Sequence, residues 1–161
     1  MWVSGTGLRR IEFGPLPEHA HADPPTSWSD LLSAAVSQLE EYFDRRRTVF
    51  EVPLDLDAIT DFQRSVYDEL LKVGHGRLVT YGDLAEAVGR PELARAVGQA
   101  VGANPIPIVI PCHRVVAADG RLGGFSGGLN AKVALLAVEN VHVDGVSETS
   151  RVHPEELRLD L

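Results

Sequence analysis

Cys112 is the only cysteine in this 161-residue chain, and it lies in the string IVIPCHRVV over residues 108–116. An apolar run, Ile108-Val109-Ile110, leads through Pro111 to a thiol with His113 and Arg114 directly behind it. The thiolate is the nucleophilic form of cysteine, and neighbouring cations favour it. With no second cysteine, an intramolecular disulfide is impossible. Neighbours on an extended segment point to opposite faces, so His113 is expected to reach Cys112 through a water. Glu139 follows the apolar residues Ala134, Leu135, Leu136 and Val138, which would leave its carboxylate partly buried and in need of a partner. His113 is one candidate. A Cys–water–His–Glu relay would enlarge the thiolate fraction of a group whose free pKa is about 8.5. A lone histidine is more often a packed or capping residue, and spacing alone makes the relay a weak idea.

The elements that must position these residues can be read along the chain. Gly7–Phe13 (GLRRIEF) is expected as a short strand, and Gly14–Pro25, with four prolines and two histidines, as a loop. From Ser27, a candidate cap with Asp30 three residues on, apolar residues recur at helical spacing from Trp28 to Phe43. Phe50, Val52, Leu54 and Leu56 alternate as in a strand. Thr60 and Gln63 form a capping-box pair ahead of a stripe of Phe62, Val66, Leu70 and Val73. Gly74 and Gly76 stop that helix, and Thr80-Tyr81-Gly82-Asp83 opens another that ends at Gly89. Pro91 suits the first turn of a further helix, over about 91–101. Leu129–Val138 is helical again, after the glycine-rich loop DGRLGGFSGG.

Two short helices around Gly89-Arg90 have the layout of a helix-turn-helix. On the second, Arg95, Gly98, Gln99 and Gly102 share a face of small residues, which suits close approach to a DNA groove or, equally, tight helix packing. The net charge of −8 argues against a nucleic-acid partner, but its distribution softens the objection. Residues 1–59 carry 5 basic and 10 acidic side chains, residues 60–140 carry 8 and 8, and residues 141–161 carry 2 and 5. The thiol segment is thus neutral overall, which permits DNA binding of modest strength. The glycine loop lacks the lysine and spacing of a phosphate-binding loop. One free thiol, no export signal and no membrane-length apolar run lead to an expectation of a cytoplasmic protein.

The runs TYGDLAEAVGRPELARAVGQAVGANP and IPIVIPCHRVVAADGRLGGFSGGLNAK closely resemble the O6-alkylguanine-DNA alkyltransferases over roughly residues 60–139. That resemblance implies an α/β fold: a small amino-terminal, ribonuclease H-like unit (1–56) packed on a mainly helical domain (60–140) with the helix-turn-helix. An acidic tail (141–161) follows. It implies a partner, duplex DNA bound through its minor groove, and a flipped O6-alkylguanine, with O4-alkylthymine as a further substrate. The alkyl group passes irreversibly to Cys112, once per molecule. Tyr81 corresponds to the donor toward guanine N3, Arg95 to the residue filling the gap left by the flipped base, and Asn104 to the brace of the turn before Cys112. His113 and Glu139 match the water-linked relay. Tyr81, Arg95, Gln99 and Arg114 are the expected DNA contacts; the backbone of Val115, Phe125 and the loop residue Ser126 are expected at the base. The resemblance implies a monomer with no cofactor and no metal.

Two departures stand out. Phe125 occupies a position where many relatives have tyrosine, removing a hydroxyl, and the amino-terminal unit looks short for the family. Relatives that hold zinc do so through amino-terminal cysteines, and this chain has none. Three rival readings are a non-catalytic alkyltransferase-like protein that binds damaged DNA, a cysteine hydrolase using Cys112, His113 and Glu139, and a plain DNA-binding regulator. Members of the first usually replace the acceptor cysteine with tryptophan, whereas Cys112 is present. The second would need an oxyanion hole that no flanking pattern supports.

Overall fold

The computed structural model describes residues 1–14 and 26–152, with backbone only for Thr26 and Ser27. The loop expected to end at Pro25 lies, beyond Gly14, outside the described residues, as does the end of the acidic tail. The chain opens with an antiparallel pair, β1 (Trp2–Val3) and β2 (Leu8–Arg10), the latter shorter than the strand expected over 7–13. The alternating stretch 50–56 does not become a regular strand. It meets β2 through a single parallel bridge, Leu8 to Leu54, in which Leu8 N–H donates to Pro53 O (2.8 Å) and Asp55 N–H to Leu8 O (2.9 Å). Pro53 has no N–H with which to extend the ladder. Gly7 permits the approach: a Cβ there would lie 2.6 Å from Pro53 O.

Helix α1 (Thr26–Phe43) starts one residue before the expected Ser27 cap, so Ser27 falls inside the helix. Its apolar stripe is only partly covered; Ala35 and Tyr42 are buried, whereas Trp28, Val36 and Phe43 stay exposed. Helix α2 (Asp61–Leu70) begins at the Thr60–Gln63 box, with Gln63 N–H donating to Thr60 Oγ1 (3.2 Å) and Thr60 N–H to Gln63 Oε1 (3.0 Å). Strand β3 (Val79–Thr80) feeds α3 (Tyr81–Ala87), capped the same way by Thr80 and Asp83. Gly89, at φ 71°, ends α3: Gly89 N–H donates to Glu86 O and Arg90 N–H to Ala85 O, the paired bonds of a Schellman motif.

The helix expected from Pro91 divides into a 3₁₀ turn, Pro91–Leu93, and α4 (Ala94–Gly102). Leu93 N–H bonds back three residues to Arg90 O, the tighter pattern common at helix entrances. A second 3₁₀ turn, Cys112–Arg114, runs into β4 (Val115–Val116), which pairs in parallel with β3. Helix α5 (Leu129–Val138) follows. The tail's first part is not loose: Val143 bridges Val152, Arg121 bridges Arg151, and Val141 and Val152 bury against Leu78, Val116, Leu122 and Leu136.

One apolar core joins the amino-terminal elements to the helical unit, with Leu8, Ile11, Ala35, Val52 and Leu56 in the same cluster as Val66, Leu70, Val97, Ile110 and Cys112. The amino-terminal elements therefore pack directly behind the thiol. No described helix is long and apolar enough to cross a membrane.

Candidate active site

Cys112 sits at the start of a 3₁₀ turn rather than on an extended segment, so successive side chains fan out by about 120°. Three residues of one turn then serve three directions: Cys112 borders a cavity, while His113 and Arg114 point into the protein. The turn is approached through Ile108, whose φ of 76° lies in the left-handed region that β-branched residues avoid. Asn104 holds this backbone. Its Nδ2 donates to Ile110 O (2.8 Å), and its Oδ1 accepts from Ile106 N–H (3.0 Å).

Behind the thiol, Glu139 is the carboxylate around which the buried polar groups converge. It caps α5, followed by Asn140 at φ 62°, with Asn140 N–H on Ala137 O and Val141 N–H on Leu136 O. This Schellman ending, stapled by buried Val141, turns the Glu139 side chain inward. Glu139 Oε1 accepts from His113 Nε2 (2.8 Å), Arg114 Nη2 (2.8 Å) and the Tyr42 hydroxyl (2.8 Å). Its Oε2 accepts from Arg114 Nε (3.0 Å) and Gly76 N–H (2.8 Å). Burial alone would raise the Glu139 carboxyl, but hydrogen bonds from His113 and Arg114, with the Arg114 charge, outweigh it and hold the group ionised. A carboxylate can only accept, so His113 Nε2 carries the hydrogen and Nδ1 is the ring's acceptor. Nδ1 is buried and has no hydrogen-bond partner among the described residues.

The resting thiol is not a thiolate. Burial pushes Cys112 up, and the lowering effects of Asn104 and the Lys132 charge do not offset it. Burial likewise lowers His113, which stays neutral despite Glu139.

In front of the thiol is a cavity of about 370 Å³, within the roughly 300–1,000 Å³ of small-molecule pockets. Tyr81 lines it from α3, Gly98, Val101 and Gly102 from α4, and Gly124, Phe125 and Ser126 from the glycine loop. Tyr81 is gripped by glycines: a Cβ on Gly98 would lie 3.6 Å from its ring and one on Gly123, at φ 63°, 3.3 Å from its hydroxyl. Burial, and then Cys112, raise the Tyr81 phenol, keeping it a proton donor. Phe13, just beyond β2, meets Phe125 edge-on at 5.7 Å and lies so close to Gly127 that a Cβ there would come within 2.5 Å of the ring.

The family described as 6-O-methylguanine DNA methyltransferase matches twice, through its DNA-binding domain at residues 61–141 and its ribonuclease-like domain at residues 3–56. The chain belongs to this family. A methylated-DNA–protein-cysteine methyltransferase of Mycobacterium bovis is 46% identical over 134 residues, covering 83% of this chain and 79% of its own. The Mycobacterium leprae protein of that name is 50% identical over 112 residues, 70% of this chain and 67% of its own. The crystal structure of Mycobacterium tuberculosis OGT in complex with DNA superposes with a TM-score of 0.70 at 43% identity, covering 82% of this chain and 80% of that one. An S. pombe protein in complex with damaged DNA containing O6-carboxymethylguanine gives 0.54 at 28% identity, over 63% of this chain and 98% of that one. The family's α/β architecture, a ribonuclease-like unit on a helical DNA-binding unit, is the fold described above.

Set beside the residues singled out from the sequence, the structure brings Cys112, Tyr81, Phe125 and Ser126 to one cavity and His113 and Glu139 into one hydrogen bond behind it. Arg95 and Gln99 are exposed on α4, and Arg95 stands three and seven residues before the cavity-lining Gly98 and Gly102, on their ridge. Arg114 does not face DNA: it is buried, spending its donors on Glu139 and on Val73 O, so it cannot reach a phosphate. Val115 is buried in β4, and its carbonyl already accepts from Lys132 Nζ (2.6 Å), leaving one lone pair. Sequence reasoning missed Tyr42, Gly76 and Lys132. Lys132 is buried among apolar residues of α5, bonded to Val115 O and Leu122 O, and burial pushes it down to about 8. A single lysine inside the apolar run LNAKVALLAV was its only signal; Tyr42 carried none, reading as one more apolar-stripe residue.

Proposed function

We propose that this protein repairs duplex DNA carrying O6-alkylguanine by transferring the alkyl group irreversibly to Cys112. The observation that carries the reading is a thiol set between a base-accepting cavity and a buried His113–Glu139 pair. In the proposed reaction the thiol proton passes, through a water, to His113 Nδ1, and Glu139 stabilises the resulting imidazolium. The Cys112 sulfur attacks the alkyl carbon, a C–S bond forms, the C–O6 bond breaks, and its electron pair stays on the guanine. Tyr81 donates toward guanine N3, and the proton held by His113 returns through solvent, so the products are neutral guanine and S-alkylcysteine. Nothing at the site would hydrolyse a thioether, so each molecule acts once.

Arg95, from the exposed ridge of α4, would occupy the gap left by the flipped base, with Gln99 beside it at the minor groove. Phe125 supplies an apolar wall, with Phe13 packed edge-on against it. Residues 1–56 are the supporting α/β unit and residues 60–140 the DNA-binding and acceptor unit. A reducing cytoplasm would keep the single thiol available. The deciding experiment incubates the protein with duplex DNA containing O6-methylguanine and measures intact mass. One methyl gained, and none in Cys112→Ala, is expected; methyl transfer that survives Cys112→Ala, or turns over many times, overturns the proposal. Retention of the acceptor cysteine favours this over the alkyltransferase-like binding role.

A further inference from the structure

We infer that Tyr42, from the amino-terminal helix α1, is a positioning residue for the acceptor thiol and acts through Glu139. The inference rests on the alkyl-transfer reading above. Tyr42 is fully buried, its hydroxyl donates to Glu139 Oε1 at 2.8 Å, and it stands 3.5 Å from His113 Nε2. Its ring is fixed by Phe50 at 5.5 Å and by the edge of His75 at 6.1 Å. One turn on, Arg45 clamps the same end of α1 to the end of α5, donating to Asn140 Oδ1 and Ala137 O at 3.0 Å each. Residues 42 and 45 both lie outside the stretch matched by the DNA-binding domain, 61–141. The amino-terminal unit thus reaches into the proton-accepting pair directly, not only through apolar packing.

The chemistry of a phenol suits this place. Burial, followed by the Glu139 charge, raises the Tyr42 phenol, so it stays protonated and can only donate to the carboxylate. Arg114 neutralises Glu139, whereas Tyr42 adds a donor without adding charge. Together with Gly76 N–H on Oε2 and Arg114 across both oxygens, it fixes the rotation of the carboxylate so that Oε1 faces His113 Nε2. A carboxylate held in that rotation keeps the hydrogen on Nε2 and the lone pair on Nδ1, the state able to take the thiol proton. Remove the hydroxyl, and Arg114 still bridges both oxygens, but a water drawn into the vacated space competes with His113 Nε2 for Oε1. His113 then becomes a poorer acceptor, and forming thiolate demands a higher pH.

The other titratable groups around the pair and the thiol are Arg114 in the same turn, Lys132 on α5, His75 after α2, Tyr67 on α2 and Tyr81 on α3. None but Arg114 shares Glu139 Oε1 with Tyr42 and His113. The test compares full-length wild type and Tyr42→Phe in reaction with free O6-benzylguanine from about pH 6 to about pH 9, following alkylated Cys112 by mass. Tyr42→Phe should react about tenfold more slowly at neutral pH, with the midpoint of its pH–rate profile displaced upward and duplex affinity unchanged. In a Glu139→Gln background the same substitution should add nothing, because the two act as one unit. Phe50→Leu, which loosens the ring's packing but keeps the hydroxyl, should lower the Tm and leave the midpoint in place. A wild-type midpoint in Tyr42→Phe, independent losses in the double variant, or a midpoint moved equally by Phe50→Leu would overturn the inference. Failure of wild type itself to take the benzyl group would instead overturn the reaction.

Discussion

The two sides of Cys112 are built on opposite principles. Behind it, Glu139 is buried and accepts from four residues drawn from α1, the segment after α2, and the 3₁₀ turn. In front, the cavity is bordered by Gly98, Gly102 and Gly124, and the exposed residues Arg95 and Gln99 stand on the helix beside it. The rear is buried, charged and over-determined, so that its donors and acceptors are held in fixed places. The front has small residues and open backbone, which let a bulky, variable base approach closely. Reactivity is placed in the buried half and recognition in the open half.

That contrast makes disruption of the rear costly to stability and disruption of the front costly to DNA-dependent steps. Arg114→Ala leaves Glu139 buried without its cation and should cost about 3–5 kcal/mol in urea unfolding, with no selective loss of DNA affinity. An equal loss of duplex binding at unchanged stability would return Arg114 to the DNA surface. Arg95→Ala should leave Tm and reaction with free O6-benzylguanine intact but slow duplex repair on the order of 30-fold, about 2 kcal/mol of a few-kcal/mol flipping cost. Matching losses on free base and duplex would break the division between the halves.

Gly123→Ala places a methyl group at positive φ beside the Tyr81 hydroxyl. About 1–2 kcal/mol of backbone strain should follow, with slower transfer and little change in DNA affinity; unaltered transfer would show that the loop does not hold Tyr81. The smallest effect is on acid stability. Burial holds folded His113 below its ordinary value, so the unfolded chain takes up a proton near pH 6.5 that the native state refuses. The His113 contribution is therefore complete above that pH and is lost progressively as pH falls below it. Glu139, whose folded pKa is also depressed, acts in the same direction below about pH 4.3. A urea midpoint that rises on acidification would contradict a neutral, buried His113.

The front half was largely legible in the sequence. The Thr60–Gln63 and Thr80–Asp83 boxes, the glycine turn at 89 and the loop through Gly124 are local signals, each closed by hydrogen bonds or torsions within a few residues. Resemblance to a known family supplied the pairing of His113 with Glu139; spacing alone had left it open. The strand expected over 50–56 was lost to Pro53, a local residue whose effect depends on which neighbour needs its N–H.

Composition, capping residues, turn glycines and a solitary reactive sulfur were determined by the chain read in order, because their physics acts between near neighbours. Tertiary structure alone decided that Arg114 turns inward, that Lys132 is buried, and that a phenol from α1 reaches Glu139. The partners of that carboxylate lie 97, 63, 26 and 25 residues away along the chain. A buried charge accepts whichever donors the packed core delivers to it, and no periodicity or spacing encodes that delivery.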